Sequence, residues 1–425
     1  MKTKILLKAP VLTRSGYGEQ SRFALRSLRS REDLFDIYIQ PLIWGATSWM
    51  SSDVDDEERA WIDKAIEKTI AYVHEGGKFD ASLQVTIPNE WSRNLAPINI
   101  GFTAGIEASM VAPAWLQKGN EEVNHIIVVS SHSANVYKDT VAVAESKETG
   151  QKFNYKLDTS INHVNYPAKE YKNLPDLDLN LECDFNFLTV AQFGPRKNLP
   201  NTIKWFMEEF CDENVGLVVK TNMAKNSYID RQVTINSIMN ITNNFPDHKC
   251  KIYLLHGDMS DEEMHSLYKN PKISALLALP HGEGFGLPLF EASYSGLPVI
   301  ATGWSGQMDF LVDENGNENF YNVAFDLNYI QKEVVWDNVL IAESKWAYPR
   351  EQSAKQKMRQ CYEDITNNVK DTFGTSACEY STIVKERFSP EKQYKKFVSC
   401  LTEHLNLKSD EEWLSDIVDI IKEYE

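Results

Sequence analysis

Hydrophobic and polar positions form two successive series along the chain, each made of short unbroken apolar runs separated by longer amphipathic stretches. Unbroken apolar runs are typical of strands buried on both faces of a parallel sheet, and their alternation with helices predicts an α/β fold. In the first series, strands are predicted at residues 5–7, 35–40, 98–102 and 126–129. In the second series, they are predicted at residues 187–190, 216–219, 252–255, 275–279 and 298–301.

A turn-rich segment at residues 165–183 separates the two series and lacks helical periodicity, which predicts an interdomain linker. We therefore expect two Rossmann-like, doubly wound domains, at residues 1–175 and 184–400, and a helical tail at residues 401–425. The amphipathic part of that tail predicts a terminal helix at about residues 411–424. Two such domains enclose a cleft, and their ligands bind at the carboxyl ends of the strands.

Composition and charge narrow the class of protein. Hydrophobic residues make up 42% of the 425 positions and charged residues 25%, the balance of a soluble globular protein. No apolar run reaches the roughly 18 residues of a membrane span, and the apolar run at the N-terminus is too short for a signal peptide. The six cysteines form no C-x-x-C pair, which favours a reducing cytoplasm. The net charge of -17 disfavours nonspecific binding to nucleic acid.

The most informative motif is the segment H-G-E-G-F-G-L-P-L-F-E-A-S at residues 281–293, which follows a predicted strand. Gly284 and Gly286 allow backbone N–H groups to approach a ligand, and Pro288 suits the first turn of a helix. The N-terminus of a helix favours phosphate. Glu283 precedes this helix and Glu291 lies about one turn into it, so both carboxylates can accept hydrogen bonds from sugar or ribose hydroxyls in one cleft.

Cations follow two strands of the second series. Arg196 and Lys197 come after the strand at residues 187–190, and Lys220 ends the strand at residues 216–219. Adjacent cations at a strand end suit a diphosphate leaving group. The alternative is that they are solvent-exposed charges at a helix start.

The segment G-E-G-F-G-L-P-L-F-E-A resembles the E-x7-E donor site of the retaining GT-B glycosyltransferases of the group 1 type. The following segments at residues 296–301 and 305–307 are similar to the usual continuation in that family. The resemblance implies the GT-B fold, with an acceptor domain first and a nucleotide-sugar donor domain second. It implies that Glu283 lies near the transferred sugar, that Glu291 holds the ribose, and that Lys197 meets the diphosphate. The family has an arginine where this chain has Gln192, and Arg196 or Lys220 can supply that charge.

The first half resembles the family less closely. Gly16 and Gly18 follow the first strand and resemble the glycine loop that contacts donor phosphate and acceptor. The segment at residues 103–107 lacks the usual His-Asp pair, so the resemblance transfers an active-site role to Glu107; the alternative is an acid in the first turn of a helix. His132 is a further candidate from the resemblance, although a histidine at a helix cap is more often structural.

The residues assigned to function form two sets. The catalytic set is Glu283, Lys197, Arg196 and Glu107. The donor-binding set is Gly16, Gly18, Lys220, Gly284, Phe285, Gly286, Leu287 and Glu291.

Two segments mimic the D-x-D metal motif, at residues 53–55 and 176–178, but neither directly follows a buried strand. We therefore expect no metal and no cofactor besides the nucleotide-sugar substrate. Trp44, Trp49, Trp91 and Trp115 are candidates for acceptor contacts or for the core.

These observations predict an enzyme that transfers a hexose or a similar sugar from a nucleotide diphosphate to a hydroxyl group of a glycan or a similar acceptor. Retention at the anomeric carbon is what the E-x7-E resemblance implies. Two alternatives stay open at this point: glycosylation of a nucleic-acid base, and a non-catalytic protein that binds sugar nucleotides or glycans.

Overall fold

The two predicted series of strands form two separate parallel sheets in the computed structural model, which describes residues 2–45, 47–50, 56–146, 149–172 and 174–405. The strands of the first half are β1 (Thr3–Ala9), β2 (Phe35–Pro41), β3 (Ala81–Val85), β4 (Ile98–Thr103), β5 (His125–Val128), β6 (Ala142–Glu145), β7 (Lys152–Tyr155) and β8 (Ser160–His163). Six of them form a parallel sheet in the order β2-β1-β3-β4-β5-β8, and β6 and β7 form an antiparallel hairpin.

The second half repeats this plan. Its strands are β9 (Phe185–Val190), β10 (Val215–Lys220), β11 (Lys251–Leu255), β12 (Ala275–Ala278), β13 (Val299–Thr302), β14 (Tyr321–Val323), β15 (Phe325–Tyr329) and β16 (Lys345–Pro349). Six of them form a parallel sheet in the order β11-β10-β9-β12-β13-β14, and β15 and β16 form an antiparallel hairpin. The α/β prediction is confirmed, and every strand predicted from an apolar run is present.

Helices lie between the strands and after the last of them. They are α1 (Gly16–Arg29), α2 (Asp56–His74), α3 (Pro113–Glu122), α4 (Ser131–Asp139), α5 (Leu199–Phe210), α6 (Tyr228–Thr242), α7 (Asp261–Tyr268), α8 (Leu287–Ser295), α9 (Met308–Leu311), α10 (Glu351–Thr366), α11 (Phe373–Arg387) and α12 (Pro390–Thr402). Short 3-10 helices lie at Pro88–Glu90, Pro195–Lys197 and Lys332–Val334. Within the part of the chain that the structure describes, no helix is long and apolar enough to cross a membrane.

Local sequence explains where the two helices next to the predicted motifs begin. Helix α1 begins at Gly16, because the Ser15 hydroxyl accepts the Gly18 N–H at 3.0 Å and caps the first turn. Helix α8 begins after Gly286, whose φ of 96° is left-handed, and ends at Gly296, whose φ is 84°. The prediction of a helix with Pro288 in its first turn is confirmed, and both glycines adopt the left-handed backbone that suits a helix end.

The chain crosses between the two halves twice. The first crossing lies between β8 and β9, where the described residues form neither helix nor strand. The second lies between α11 and α12, since α12 packs on α1 and places Phe397 5.1 Å from Phe102. The two crossings touch, because the Ala168 N–H donates to the Phe388 carbonyl at 2.7 Å.

The exact domain limits remain predictions. Residues 406–425, which include the predicted terminal helix, lie outside the described residues, as do residues 53–55 of the first D-x-D segment.

Candidate functional site

The glycine-rich motif lies where the resemblance places it, at the carboxyl end of β12 and before α8. Helix α8 is hydrogen-bonded from its start, since the Phe290 N–H donates to the Gly286 carbonyl at 3.0 Å. The N–H groups of its first turn have no partner within the helix, so they can bind an anion at its N-terminus. Phe285 itself is buried, with its ring 5.0 Å from Phe310 and 5.1 Å from Tyr166. Its side chain therefore anchors the loop.

Glu283 is the centre of a buried ion cluster, with only 6% of its surface exposed. Arg196 Nη1 donates to Glu283 Oε2 at 3.0 Å, and Lys197 Nζ donates to Glu283 Oε1 at 2.5 Å. The Glu283 N–H donates to the Ser305 hydroxyl at 2.9 Å. Burial alone would raise the pKa of Glu283, but Lys197 and Arg196 outweigh it and hold the pKa below its usual range. Glu283 is therefore an ionised carboxylate between two cations.

The same cluster reaches the first half of the chain. Arg196 Nη2 lies 3.4 Å from Glu107 Oε1, so one guanidinium contacts carboxylates from both halves. Burial would lower the pKa of Arg196, but Glu107 and Glu283 reverse the effect and raise it. The structure thus brings together all four residues of the predicted catalytic set.

Glycine is required at two positions because the halves meet at this loop. A Cβ atom at Gly284 would lie 2.0 Å from the Ala104 carbonyl oxygen, and one at Gly282 would lie 2.1 Å from the Glu107 carbonyl oxygen. The Ser130 hydroxyl donates to the Gly284 carbonyl at 2.6 Å from the first half. These two glycines therefore permit close approach of two backbones, and the ligand approach expected from the sequence at Gly284 and Gly286 stays a prediction.

Glu291 lies in a different environment from Glu283. The Tyr268 hydroxyl donates to Glu291 Oε2 at 2.9 Å. Burial raises the pKa of Glu291 to about 7, although Lys169 and the Tyr268 hydrogen bond oppose the rise. Because no cation pairs directly with this carboxylate among the described contacts, its two oxygens can still accept further hydrogen bonds.

A lysine of the first crossing joins the two halves beside Glu291. Lys169 Nζ lies 2.7 Å from Glu19 Oε1 on α1 and 2.9 Å from Asp261 Oδ2 on α7. Sequence reasoning missed this lysine, because a single cation in a turn-rich linker carries no signal of its own.

Arg196 and Lys220 are the two residues that could replace the family arginine at the position of Gln192, and their contacts distinguish them. Arg196 joins the Glu283 cluster, whereas the Lys220 ammonium donates to the Gly257 carbonyl at the end of β11. Burial lowers the pKa of Lys220. Gln192, in the place of the family arginine, donates to the Met223 carbonyl at 2.7 Å.

The first glycine segment forms the capped start of α1. A Cβ atom at Gly18 would lie 1.8 Å from the Thr13 carbonyl oxygen, whereas one at Gly16 would meet nothing within 4 Å. The hydroxyls of Tyr17 and Thr103 lie 2.8 Å apart, which ties this helix to the end of β4.

The histidines in the motifs have structural partners. His281 Nδ1 lies 2.7 Å from the Ala347 carbonyl, and its ring stacks 4.8 Å from Trp346. His132 lies edge-on to Trp304 at 5.0 Å, and burial lowers its pKa to about 4. His256 Nε2 lies 2.8 Å from Asp230 Oδ1 at the start of α6.

The tryptophan candidates divide by burial. Trp91 and Trp115 belong to the core, whereas Trp49 is exposed and Trp44 lies 4.5 Å from the Tyr17 ring.

The acids at residues 176 and 178 are exposed, and the described residues contain no group of three side chains suited to a metal ion.

Comparison with known families agrees with this placement. Residues 250–322 match the family described as Glycosyl transferases group 1. The matched segment contains β12, the Glu283 loop and α8, so the resemblance inferred from the motif is confirmed for this part of the chain. With two facing six-stranded sheets, the chain has the GT-B fold.

The chain matches individual named relatives only at low sequence identity. The chain is 29% identical over 200 residues to the serotype-specific mannosyltransferase WbdA of Escherichia coli, a match that covers 44% of this chain and 22% of WbdA. The chain thus spans about a fifth of the length of the curated relative it matches.

Solved structures align over nearly the whole chain. Anabaena Alr3699/HepE in complex with UDP and glucose has a TM-score of 0.58 at 12% identity, covering 94% of this chain and 100% of that one. Sucrose-phosphate synthase from Thermosynechococcus elongatus has a TM-score of 0.58 at 12% identity, covering 95% and 99%. At this identity the likeness establishes the fold alone.

Proposed function

We propose that this protein is a glycosyltransferase that moves a sugar from a nucleotide diphosphate donor to a hydroxyl acceptor, with retention at the anomeric carbon. The observation that carries the proposal is the buried carboxylate of Glu283, held between Arg196 and Lys197 beside the N-terminus of α8. A carboxylate, two cations and free helix N–H groups are the complement of a sugar joined to a diphosphate.

In this proposal the cations and the helix N-terminus stabilise the diphosphate as it leaves. The bond between the anomeric carbon and the diphosphate oxygen breaks, and the acceptor oxygen bonds to the same face of that carbon. The hydroxyl proton passes to an oxygen of the departing diphosphate. Lys197 and Arg196 then face the charge that grows on the leaving group, where fixed donors contribute most to the rate.

The two glutamates have separate tasks. Glu283 contacts the transferred sugar, and Glu291 holds the ribose hydroxyls of the nucleotide. Glu107 approaches the reacting sugar from the first half, since it shares the Arg196 guanidinium with Glu283.

The donor binds without a divalent ion in this proposal, because Arg196, Lys197 and the helix N-terminus already supply positive charge. Donor binding measured by calorimetry should survive EDTA unchanged. Loss of binding with EDTA and its recovery with magnesium would show that a metal completes the anion site.

The six free cysteines are consistent with a cytoplasmic enzyme.

The central experiment uses UDP-, GDP- and ADP-sugars labelled in the sugar. A thermal-shift screen identifies the donor, and slow release of labelled sugar shows enzymatic turnover even without the acceptor. The panel includes GDP-mannose and UDP-glucose, since one relative is named a mannosyltransferase and one structure contains UDP and glucose.

Two variants complete the design. Glu283→Gln should slow sugar release about 100-fold or more, while Glu67→Gln on the exposed face of α2 should leave it unchanged. Donor binding without any release or transfer would indicate a non-catalytic sugar-nucleotide protein, and failure to bind any donor would refute the proposal.

A further inference from the structure

The segment at residues 325–349 connects the second half of the chain to the first. We call it the arm; it comprises β15, the 3-10 helix at Lys332–Val334 and β16. It follows directly after the segment that matches the glycosyltransferase family, and it carries none of the residues predicted to form the site.

Two parts of the arm bind the first half of the chain: the loop between β15 and β16, and the start of β16. The Ser109 N–H donates to the Lys345 carbonyl at 2.8 Å, and the Lys345 N–H donates to the Ser109 hydroxyl at 2.9 Å. The Ser344 hydroxyl donates to the Met110 carbonyl at 3.1 Å, and the Asn89 amide donates to the Asn338 carbonyl at 3.2 Å.

The middle of β16 binds the Glu283 loop. The Ala347 N–H donates to the His281 carbonyl at 2.8 Å, and the Ala347 carbonyl lies 2.7 Å from His281 Nδ1. A carbonyl can only accept, so Nδ1 carries the proton, and burial lowers the pKa of His281, which keeps the ring neutral. The His281 N–H in turn donates to the Arg196 carbonyl at 2.8 Å.

These bonds make β16 a bridge between the two loops that carry Glu107 and Glu283. Lys345 is bonded to Ser109, two residues after Glu107, and Ala347 is bonded to His281, two residues before Glu283. Two residues of an extended strand span about 7 Å, so β16 sets a fixed separation between the two loops.

We propose that the arm sets the spacing of Glu107 and Glu283 across the cleft, and that His281 is the positioning residue through which it acts. This inference rests on the proposed function for its effect on activity, but its geometry can be tested without activity. His281 does not contact the substrate in this role. It holds Arg196 and Glu283 at a fixed distance from Glu107.

The test compares two substitutions of His281. His281→Phe keeps a ring to stack on Trp346 but removes the donor to Ala347, whereas His281→Asn restores an N–H at the position of Nδ1. His248→Phe is the matched control, because His248 Nδ1 also lies 2.7 Å from a backbone carbonyl, that of Cys250, outside the cluster.

Two readouts separate the arm from the proposed activity. Hydrogen exchange of the Ser109 and Ala347 amides measures directly how stably the arm is bonded to the two loops. The exchange rate should rise in His281→Phe but not in His281→Asn or His248→Phe. For sugar release or transfer, His281→Phe should lower kcat about tenfold or more with the donor KM within twofold, since misplacement by about 1 Å can cost up to 100-fold. His281→Asn should recover most of that loss.

The outcomes are distinct. Unchanged exchange in His281→Phe, or equal changes in His281→Phe and His281→Asn, would overturn the role of His281. If the wild-type protein turns over no donor, the proposed function fails, and hydrogen exchange alone tests whether His281 positions the arm. If His281→Phe does not fold, Ser344→Ala replaces it: it removes one bond between the arm and the first half, and faster exchange at Ser109 supports the proposal while unchanged exchange refutes it.

Discussion

Replacing Glu291 by glutamine should stabilise the protein and impair donor binding at the same time. The carboxyl has a pKa of about 7 in the folded protein, against an ordinary value of 4.5. The folded state therefore holds its proton more tightly than the unfolded state does. The resulting stability is fully present below pH 4.5 and is lost as the pH rises through about 7.

The size of the effect follows from the shift. A difference of about 2.5 pKa units, at 1.36 kcal/mol per unit, gives an upper value of about 3 kcal/mol for the cost of ionising Glu291 above pH 7. Glutamine is neutral at every pH and keeps an oxygen to accept the Tyr268 hydroxyl. The Glu291→Gln variant should therefore gain up to about 3 kcal/mol at pH 8, and its advantage should shrink as the pH falls toward 4.5.

The assay is thermal unfolding between pH 4.5 and 8.5, with Glu67→Gln on α2 as the control. For a domain of this size, about 3 kcal/mol corresponds to a rise in Tm of roughly 6–12 °C. In donor kinetics the same variant should raise KM about tenfold or more with little change in kcat, because charge-assisted bonds to the ribose hydroxyls contribute about 1.5–3 kcal/mol. A Tm difference that does not depend on pH, or a destabilised variant at pH 8, would refute the reasoning about burial. An unchanged donor KM would refute the ribose assignment.

Three further predictions concern the loop and its cations. Glu283→Gln should lower kcat about 100-fold or more with little change in donor KM, since the sugar carries growing charge only in the transition state; normal kcat in steady-state assays would remove Glu283 from the reaction. Lys197→Ala should lower kcat/KM by more than Arg196→Ala, because Lys197 occupies the family position; equal mild losses would mean that both are merely charges at a helix start. Gly284→Ala should lower stability by about 1–3 kcal/mol because its methyl group meets the Ala104 carbonyl, whereas Gly194→Ala, with nothing within 4 Å, should melt near the wild-type temperature.

Much of the fold could be predicted because the strands are buried on both faces and therefore read as unbroken apolar runs. Strand β3 was missed because two of its five residues, Ser82 and Gln84, are buried but polar. They hydrogen-bond to Asn99 and to the Ser92 carbonyl, and such pairing cannot be inferred from hydrophobicity. The F-D-L-N-Y sequence of β15 alternates apolar and polar positions, a strand signal that could have located the arm.

The candidate site was predictable only in part. Glu283 and Glu291 could be identified because the motif that contains them is local in sequence, and Lys197 because it follows a predicted strand. The contact between Arg196 and Glu107 joins residues from the two halves, and only the tertiary arrangement of the sheets brings them together. The choice of Arg196 over Lys220 as the partner of Glu283 likewise required the structure.

The contact between the two crossings of the chain constrains how the domains can move. A single covalent connection would allow the halves to twist and swing in any direction. Here the crossings are bonded to each other, from the Ala168 N–H to the Phe388 carbonyl, so both backbones pass between the halves at nearly one place. Two connections that meet at one place limit how far the halves can twist relative to each other. Twisting is the motion that would move the loop of Glu107 past the loop of Glu283, so the paired crossings favour the alignment in which both carboxylates contact Arg196.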